Sequence, residues 1–359
     1  MIRMSEMVLP GHPDKFCDQI ADAIVAECYR ADPQAYCQVE VSVWSEDVWL
    51  TGGTMTRGAL ERSLEQIVKD VGREIGYVAG NAIDAERYIV RSSVCLEHGD
   101  PRRWTEHVND QSIVVGWAGY DAKTRYLAPE HFLAHAMREA LTESCRVGRL
   151  QGHGPDGKLL VRMREEGEHW IVEHLLVTLQ HPSNVELFDM CKSVSLVLEE
   201  SYEALRRRDR RWSARWTEID LLVNPNGPLL SGGSDGDNGQ TGRKLTMDFY
   251  GPRIGIGGGA LSGKDLSHID RAGAIAARQA AVAAVRTGAR ECRVVSSYAP
   301  NLDEPLEVVY EMNGAGDRRS HTWFAHSAIR KRVALPFPDP NPGRGLHFWH
   351  AGYAWNAIH

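Results

Sequence analysis

Apolar positions along the chain follow two periods, helical and strand-like, and the two recur in the same order three times. Pro13 suits the first turn of a helix, and Phe16, Ile20, Ala23 and Ile24 then share one face. Val39, Val41 and Val43 switch to the two-residue period of a strand, Ser45-Glu46-Asp47 makes a turn, and Val48 and Leu50 return. A second helix has Leu60, Leu64, Ile67, Val71 and Ile75 in phase, with Gly76 as its stop.

The second copy opens at Pro129 with Phe132, Leu133, Ala136, Met137 and Leu141 on a helix. Leu159, Val161 and Met163 turn at Glu166-Gly167 and return through Trp170 and Val172. Ser183-Asn184-Val185-Glu186 reads as a capping box for a long helix with Leu187, Met190, Val194 and Leu198. In the third copy a helix runs from Asp265 to Arg286 and stops at Gly288. Strands follow at Val294-Val295 and Leu306–Val308, then a short helix from Trp323 to Arg330. The proline- and glycine-rich stretch from Pro336 to Gly345 reads as loop. Each hairpin can pack one sheet face against helices, which makes the expected class α+β. Chance recurrence is the competing reading, because helix and hairpin are common units.

Composition narrows the field. A length of 359 residues accommodates two or three domains. With 43% apolar and 25% charged residues the chain is neither disordered nor fibrous. No apolar run is long enough for a membrane span, and Met1 to Glu6 lack the apolar core of a signal peptide. Seven scattered cysteines without a C-x-x-C pair argue against a disulfide framework or a zinc site and for a reducing, cytoplasmic setting. A net charge of −7 argues against a general nucleic-acid surface and leaves a local anion pocket open.

Three segments concentrate charge and glycine. Gly11-His12-Pro13-Asp14-Lys15 stands at a helix start, where free N–H groups and the positive dipole end could serve a metal-bound phosphate; Pro13 and Asp14 are equally ordinary first-turn residues. Gly232 to Lys244 is glycine-rich and ends in Arg243-Lys244, a composition suited to a polyanion, without Walker A spacing. Gly257 to Asp265 precedes another helix; Lys264 suits a phosphate and Asp270, one turn inside, a metal. Its Gly255-x-Gly257-x-x-Ala260 spacing is only a loose dinucleotide fingerprint, with no parallel β-α-β unit around it. His131 and His135, four apart, could share a metal but lack an obvious third ligand. The run Arg206 to Arg211 reads as a solvated helix end.

Taken together these segments resemble the S-adenosylmethionine synthetase, or methionine adenosyltransferase, family. The family's GHPDK and D-Q-I-x-D-A stand as Gly11–Lys15 and Asp18–Ala23. Its G-D-x-G-x-T-G-R-K stands as Gly236–Lys244, and its G-G-G-A-x-S-G-K-D as Gly257–Asp265 followed by Asp270-Arg271. Asp110-Gln111, Pro155-Asp156-x-Lys158, Gln180-His181 and Asn224-Pro225-x-Gly227 fall in family order between them. The resemblance implies three similar βαββαβ-type α+β subdomains with pseudo-threefold symmetry, here 1–97, 109–226 and 227–359. It implies a homodimer or dimer of dimers with active sites at the interface, ATP and methionine as substrates, and Mg2+ and K+. It implies that methionine sulfur attacks C5′ of ATP and that the displaced triphosphate is cut to pyrophosphate and phosphate. Carried over by motif, His12 meets the breaking C5′–O5′ bond, and Lys15, Lys158, Arg243, Lys244 and Lys264 hold the polyphosphate. Asp14 and Asp270 hold Mg2+, Glu40 helps place K+, and Asp110, Asp156 and Asp237 line the substrate site.

Departures cluster around the organic substrates. Thr54 stands for the family's glutamate in G-G-E-I-T, Glu97 for a loop glutamine, His268 for the second lysine after G-K-D, and Leu229 for the aromatic that stacks on adenine. The final segment is shortened, and residues 97 to 109 align only loosely. Either a divergent branch makes the same product, or the pocket has changed, with the carboxylate moved from position 54 to Glu97. An adenosyltransferase acting on another thioether and a noncatalytic nucleotide-binding paralogue are the alternatives.

Overall fold

The computed structural model describes residues 1–80, 83–150, 153–333, 342–349 and 355. Its strands are β1 (Ile2–Val8), β2 (Tyr36–Trp44), β3 (Asp47–Thr56), β4 (Ile89–His98), β5 (Ser112–Gly119), β6 (Gly157–Glu166), β7 (His169–Leu179), β8 (Asp220–Val223), β9 (Gly239–Gln240), β10 (Glu291–Tyr298) and β11 (Glu307–Asn313). Its helices are α1 (Pro13–Ala31), α2 (Leu64–Ile75), α3 (Arg102–Thr105), α4 (Pro129–Arg146), α5 (Leu187–Arg208), α6 (Leu245–Asp248), α7 (Ile269–Arg286) and α8 (His326–Val333). The class is α+β, as the patterning predicts.

The strands form three sheets, ordered β4-β3-β2-β9, β1-β6-β7-β8 and β11-β10-β5. Each is built on one of the expected hairpins, and α1, α4 or α7 precedes that hairpin. The first strand of every hairpin is flanked by an antiparallel strand from elsewhere in the chain: β9 beside β2, β1 beside β6, β5 beside β10. In the first two sheets the helix after the hairpin leads to a parallel strand on the other side, β4 beside β3 and β8 beside β7. The recurrence in sequence is therefore a recurrence of connectivity. It also laces the segments together, since residues 2–8 complete the central sheet, 112–119 the C-terminal one and 239–240 the N-terminal one.

Packing follows from the patterning. Phe16, Ile20 and Ile24 of α1 bury against Val39, Val41 and Val43 of β2 and against Ile67 and Val71 of α2. Gly76 ends α2 in the left-handed conformation, φ 103°, which glycine adopts without steric cost. Helix α7 is buried on nearly every side and correspondingly alanine-rich. Gly116 of β5 is where it presses closest: a Cβ there would stand 2.0 Å from the Ala277 carbonyl carbon.

Several local expectations are corrected. The capping box at Ser183 does not form. Residues 182–185 close a turn, with the Val185 N–H donating to the Pro182 carbonyl, and α5 starts at Leu187 behind Glu186 without a side-chain cap. Helix α7 begins at Ile269, not Asp265. The Asp265 carboxylate instead accepts from the Ser267 N–H (2.7 Å) and the Cys37 N–H (3.1 Å), tying the preceding loop to β2. The helix expected from Trp323 splits into a 3-10 turn at His321–Phe324 and α8. Of the loop expected at 336–345, residues 336–341 lie outside the described residues and Pro342–Arg344 form a short 3-10 turn. All seven cysteines are free. Among the described residues no helix is long and apolar enough to cross a membrane.

Candidate active site

His12 is the N-cap of α1, with Pro13 in its first turn. Its Nδ1 accepts from the Asp14 N–H at 3.2 Å, which leaves the ring proton on Nε2 when the ring is neutral. Burial pushes its pKa down to about 3; the Lys244 charge adds to this, Asp14 resists it, and Lys158 and Lys15 depress it further. The imidazole is therefore neutral, and Nε2 has no partner among the described residues. It is a preset hydrogen-bond donor surrounded by cations.

Asp14 ties this helix start to the glycine-rich segment. Its Oδ1 accepts from the Gln240 N–H at 2.9 Å and lies 3.5 Å from Arg243 Nε, and its Oδ2 pairs with Lys244. Gly239 makes the approach possible: a Cβ there would meet the Pro13 carbonyl carbon at 2.4 Å. Lys158 is exposed on β6, paired in register with Val8 of β1, and its charge reaches His12. Asp156 is buried; its Oδ2 accepts from the Gly233 N–H at 2.7 Å, Oδ1 has no partner among the described residues, and burial raises its pKa against the pull of that N–H and Lys158. Exposed Asp237 raises the Asp156 pKa electrostatically. Leu229 approaches the same edge: its carbonyl accepts from the His181 N–H, and the neighbouring Gln180 N–H donates to the Asp156 carbonyl, both at 3.0 Å.

A second cluster forms at the N-terminus of α7. His268 is the N-cap and accepts from the Asp270 N–H at 3.3 Å. Asp270 Oδ2 pairs with Lys264 Nζ at 2.6 Å, and its Oδ1 accepts from Ser112 Oγ at 2.5 Å. Burial lowers the His268 pKa, Lys264 lowers it further, and Asp110 is among the acids that resist. Lys264 also faces half-buried Glu40 across a bridge to Gln38 of β2; burial raises the Glu40 pKa and Lys264 opposes this. A cavity of about 420 Å3 opens here, lined by Gln111, Ser112, Gly257, Gly259, Asp270 and Tyr298 among others.

Three expectations change. Lys15 is buried, its Nζ held between Asp18 (2.8 Å) and Asp248 (2.6 Å). Burial alone would lower its pKa, but the two carboxylates outweigh it and raise it. Among the described residues, the partners of its ammonium are these two carboxylates, so Lys15 is held inside the protein and not presented outward. Thr54 pairs in register with Leu96 and Glu97 with Met55, so Thr54 and Glu97 stand on opposite faces of the sheet. Glu97 does not replace a carboxylate at position 54. His131 bonds Ser5 Oγ at 2.9 Å and packs on His135 within the core, and among the described residues no group of three or more His, Cys, Asp or Glu could hold a metal. The arginine run ends α5 in local pairs, Arg206 with Glu203 and Arg211 with Asp209 and Asp121, as a solvated terminus should.

The residues that sequence reasoning left without a role are Asp18, Asp22, Asp248 and Ser112. Asp14, Asp18 and Asp22 are spaced by four, one per turn on one face of α1, and each accepts a loop N–H: Gln240, Gly242 (2.9 Å) and Gly263 (3.1 Å). One helix stripe thereby positions both glycine-rich segments. The four-residue spacing was the available signal.

Cations and hard carboxylates gather at two helix N-termini with glycine loops docked against them, a chemistry that suits a metal-chelated polyphosphate. Residues 1–96 match the S-adenosylmethionine synthetase N-terminal domain and residues 231–336 the C-terminal domain of the same enzyme family. An S-adenosylmethionine synthase of Solidesulfovibrio magneticus is 32% identical over 325 residues, covering 87% of this chain and 80% of that protein. The chain belongs to the S-adenosylmethionine synthetase family.

Proposed function

We propose that the chain makes S-adenosylmethionine from ATP and L-methionine. The thioether sulfur attacks C5′, the C5′–O5′ bond breaks, and its electron pair leaves with triphosphate, which is then hydrolysed to pyrophosphate and phosphate. A neutral thioether needs no base, so catalysis rests on stabilising charge that develops on the leaving group. The observation that carries the reading is the buried His12 Nε2, which has no partner among the described residues and is set among cations. Its proton suits the oxygen that departs from C5′. Lys158, Arg243, Lys244 and Lys264 suit the polyphosphate tail, the last two exchanging Asp14 and Asp270 for phosphate oxygens. Lys15 adds positive potential from below, anchored by Asp18 and Asp248.

The donor set fits Mg2+, which binds through one or two carboxylates together with substrate phosphates. Asp14 and Asp270 offer hard oxygens singly, one at each helix start. Mg2+ bound there would neutralise charge on the triphosphate. Glu40, beside Lys264, would contribute an oxygen to K+. Asp110, Asp156 and Asp237 would line the nucleotide and amino-acid pocket, with Leu229 and Glu97 at its margins. Exposed Ile2 and Met4 on β1, Trp49 on β3, Ile89 and Leu96 on β4 and Ile113 on β5 support a homodimer or dimer of dimers that buries these sheets, with active sites at the interface. Free cysteines fit a reducing, cytoplasmic setting.

Incubating the purified protein with ATP, methionine, Mg2+ and K+ tests the reading by mass spectrometry. The expected products are the sulfonium, pyrophosphate and phosphate. Intact ATP and no sulfonium would refute it, and ADP would point to a kinase or phosphohydrolase instead.

A further inference from the structure

A separate cavity of about 360 Å3 opens beside Pro10 and Gln19 at the start of α1, a volume within the range of small-molecule sites. None of the residues placed above in the substrate site lines it. It still borders that site: Pro10 stands just before Gly11-His12, Pro155 directly before Asp156, and the Gly11 N–H donates to the Pro155 carbonyl at 3.0 Å. Part of the wall is one face of α4, where Arg138, Thr142 and Arg146 recur at four-residue spacing. From Arg138 to Arg146 that face runs about 12 Å, at about 1.5 Å per residue. Leu9, Ile75, Pro155 and Leu346 give the cavity its apolar surface.

We propose that this cavity is a second ligand site, for a small apolar carboxylate whose hydrocarbon lies along Leu9, Ile75 and Leu346 and whose carboxylate meets Thr142 and Arg146 on α4. The sign of the charge follows from the wall. Its two acids are already matched, Glu74 by Arg344 and Glu139 by Arg138. Arg138 is spent further on the Val8 carbonyl (2.9 Å) and the Arg344 carbonyl (2.6 Å). Arg146 is the guanidinium left over. It bonds Glu143 at 2.6 Å in an exposed pair on its own helix, and Glu143 is not part of the wall. Such a surface pair is weak and yields readily to a bidentate carboxylate. Two buried polar atoms of the lining residues, Thr142 Oγ1 and His153 Nδ1, have no partner among the described residues. Buried polar atoms are ordinarily bonded, and both of these can donate to an oxygen. Burial, with a smaller push from His181, takes His153 down to about 4, so its ring is neutral and adds no charge of its own.

Octanoate is the probe, with octylamine as its cationic counterpart. Each is titrated into the purified full-length chain by calorimetry, and thermal melting is followed alongside. Octanoate should bind at one site per chain and raise the melting temperature. Saturating Mg2+ and tripolyphosphate should leave its affinity within about twofold, as for separate sites. Octylamine should bind about tenfold more weakly or not at all. Arg146→Gln should weaken octanoate about tenfold and Thr142→Val about threefold. Both variants should melt like wild type without octanoate, because Arg146 is exposed and valine keeps the shape of threonine. Failure of octanoate to bind at millimolar concentration overturns the proposal. So does octylamine binding as tightly as octanoate, since apolar contact alone then accounts for it, and so does Arg146→Gln binding like wild type. Displacement by tripolyphosphate also overturns it, by placing octanoate in the substrate site. None of these readouts uses turnover, so the outcome is independent of the adenosyltransferase reading.

Discussion

Asp22→Ala tests how the site is held together. Asp22 is buried; its Oδ1 accepts from the Gly263 N–H at 3.1 Å, and its Oδ2 accepts from Ser262 Oγ and the Gly343 N–H, both at 3.0 Å. Arg271 Nη1 stands 3.5 Å from Oδ1 and also donates to the Lys264 carbonyl at 2.7 Å. Alanine removes an acceptor from two buried N–H groups and a hydroxyl. At about 1–3 kcal/mol for each buried donor left without an acceptor, the three together lose about 3–9 kcal/mol, a large share of the roughly 5–15 kcal/mol that holds a folded domain. Asp22→Asn keeps one acceptor oxygen and should lose about half as much. The effect reaches the chemistry because Lys264 directly follows Gly263. Urea unfolding followed by circular dichroism should order the midpoints wild type, Asp22→Asn, Asp22→Ala. Sulfonium formation should fall in the same order. An Asp22→Ala protein with wild-type midpoint and turnover would refute the idea that the α1 stripe positions the loop.

Gly116→Ala drives a methyl group into the α7 backbone and should cost about 1–3 kcal/mol or more, read as a lowered urea midpoint; an unchanged midpoint would show that the helix shifts without cost. Asp14→Asn should raise the Mg2+ concentration needed for half-maximal activity while leaving the fold intact, and an identical Mg2+ titration would remove Asp14 from the metal site. Burial pushes His131 down to about 4 and His347 to about 3, from an ordinary 6.5. The unfolded chain therefore binds more protons below pH 6.5, so their contribution is complete above that pH and is lost as pH falls toward 3–4. Each should cost about 2 kcal/mol of stability between pH 7.5 and 5.0, seen as a lower urea midpoint at pH 5.0; an equal or higher midpoint at pH 5.0 would contradict the buried, neutral state.

The chemistry-bearing segments were legible because they sit where local rules are strict. Pro13 after His12 marks a helix start, and a helix start is where an anion can be met. Gly236 to Lys244 and Gly257 to Asp265 announced themselves by composition. Asp265 misled because it caps well in sequence, yet its carboxylate is drawn to the Cys37 N–H of β2, more than two hundred positions away. Lys15 misled in the same way: nothing adjacent to it in sequence reveals Asp248, which takes its Nζ at 2.6 Å.

Helical phase, strand alternation and turn residues depend on neighbours within a few positions, so the sequence by itself determined the leading helices, the three hairpins and the segments that carry charge. Only the tertiary structure decided that β1 lies beside β6 and β5 beside β10. It also decided which face of the first sheet Thr54 and Glu97 occupy, and that Asp18 and Asp22 grip loops far along the chain. Backbone hydrogen bonds between distant strands, and carboxylates that accept distant N–H groups, take their partners from the closed chain. Nothing in the local sequence names those partners.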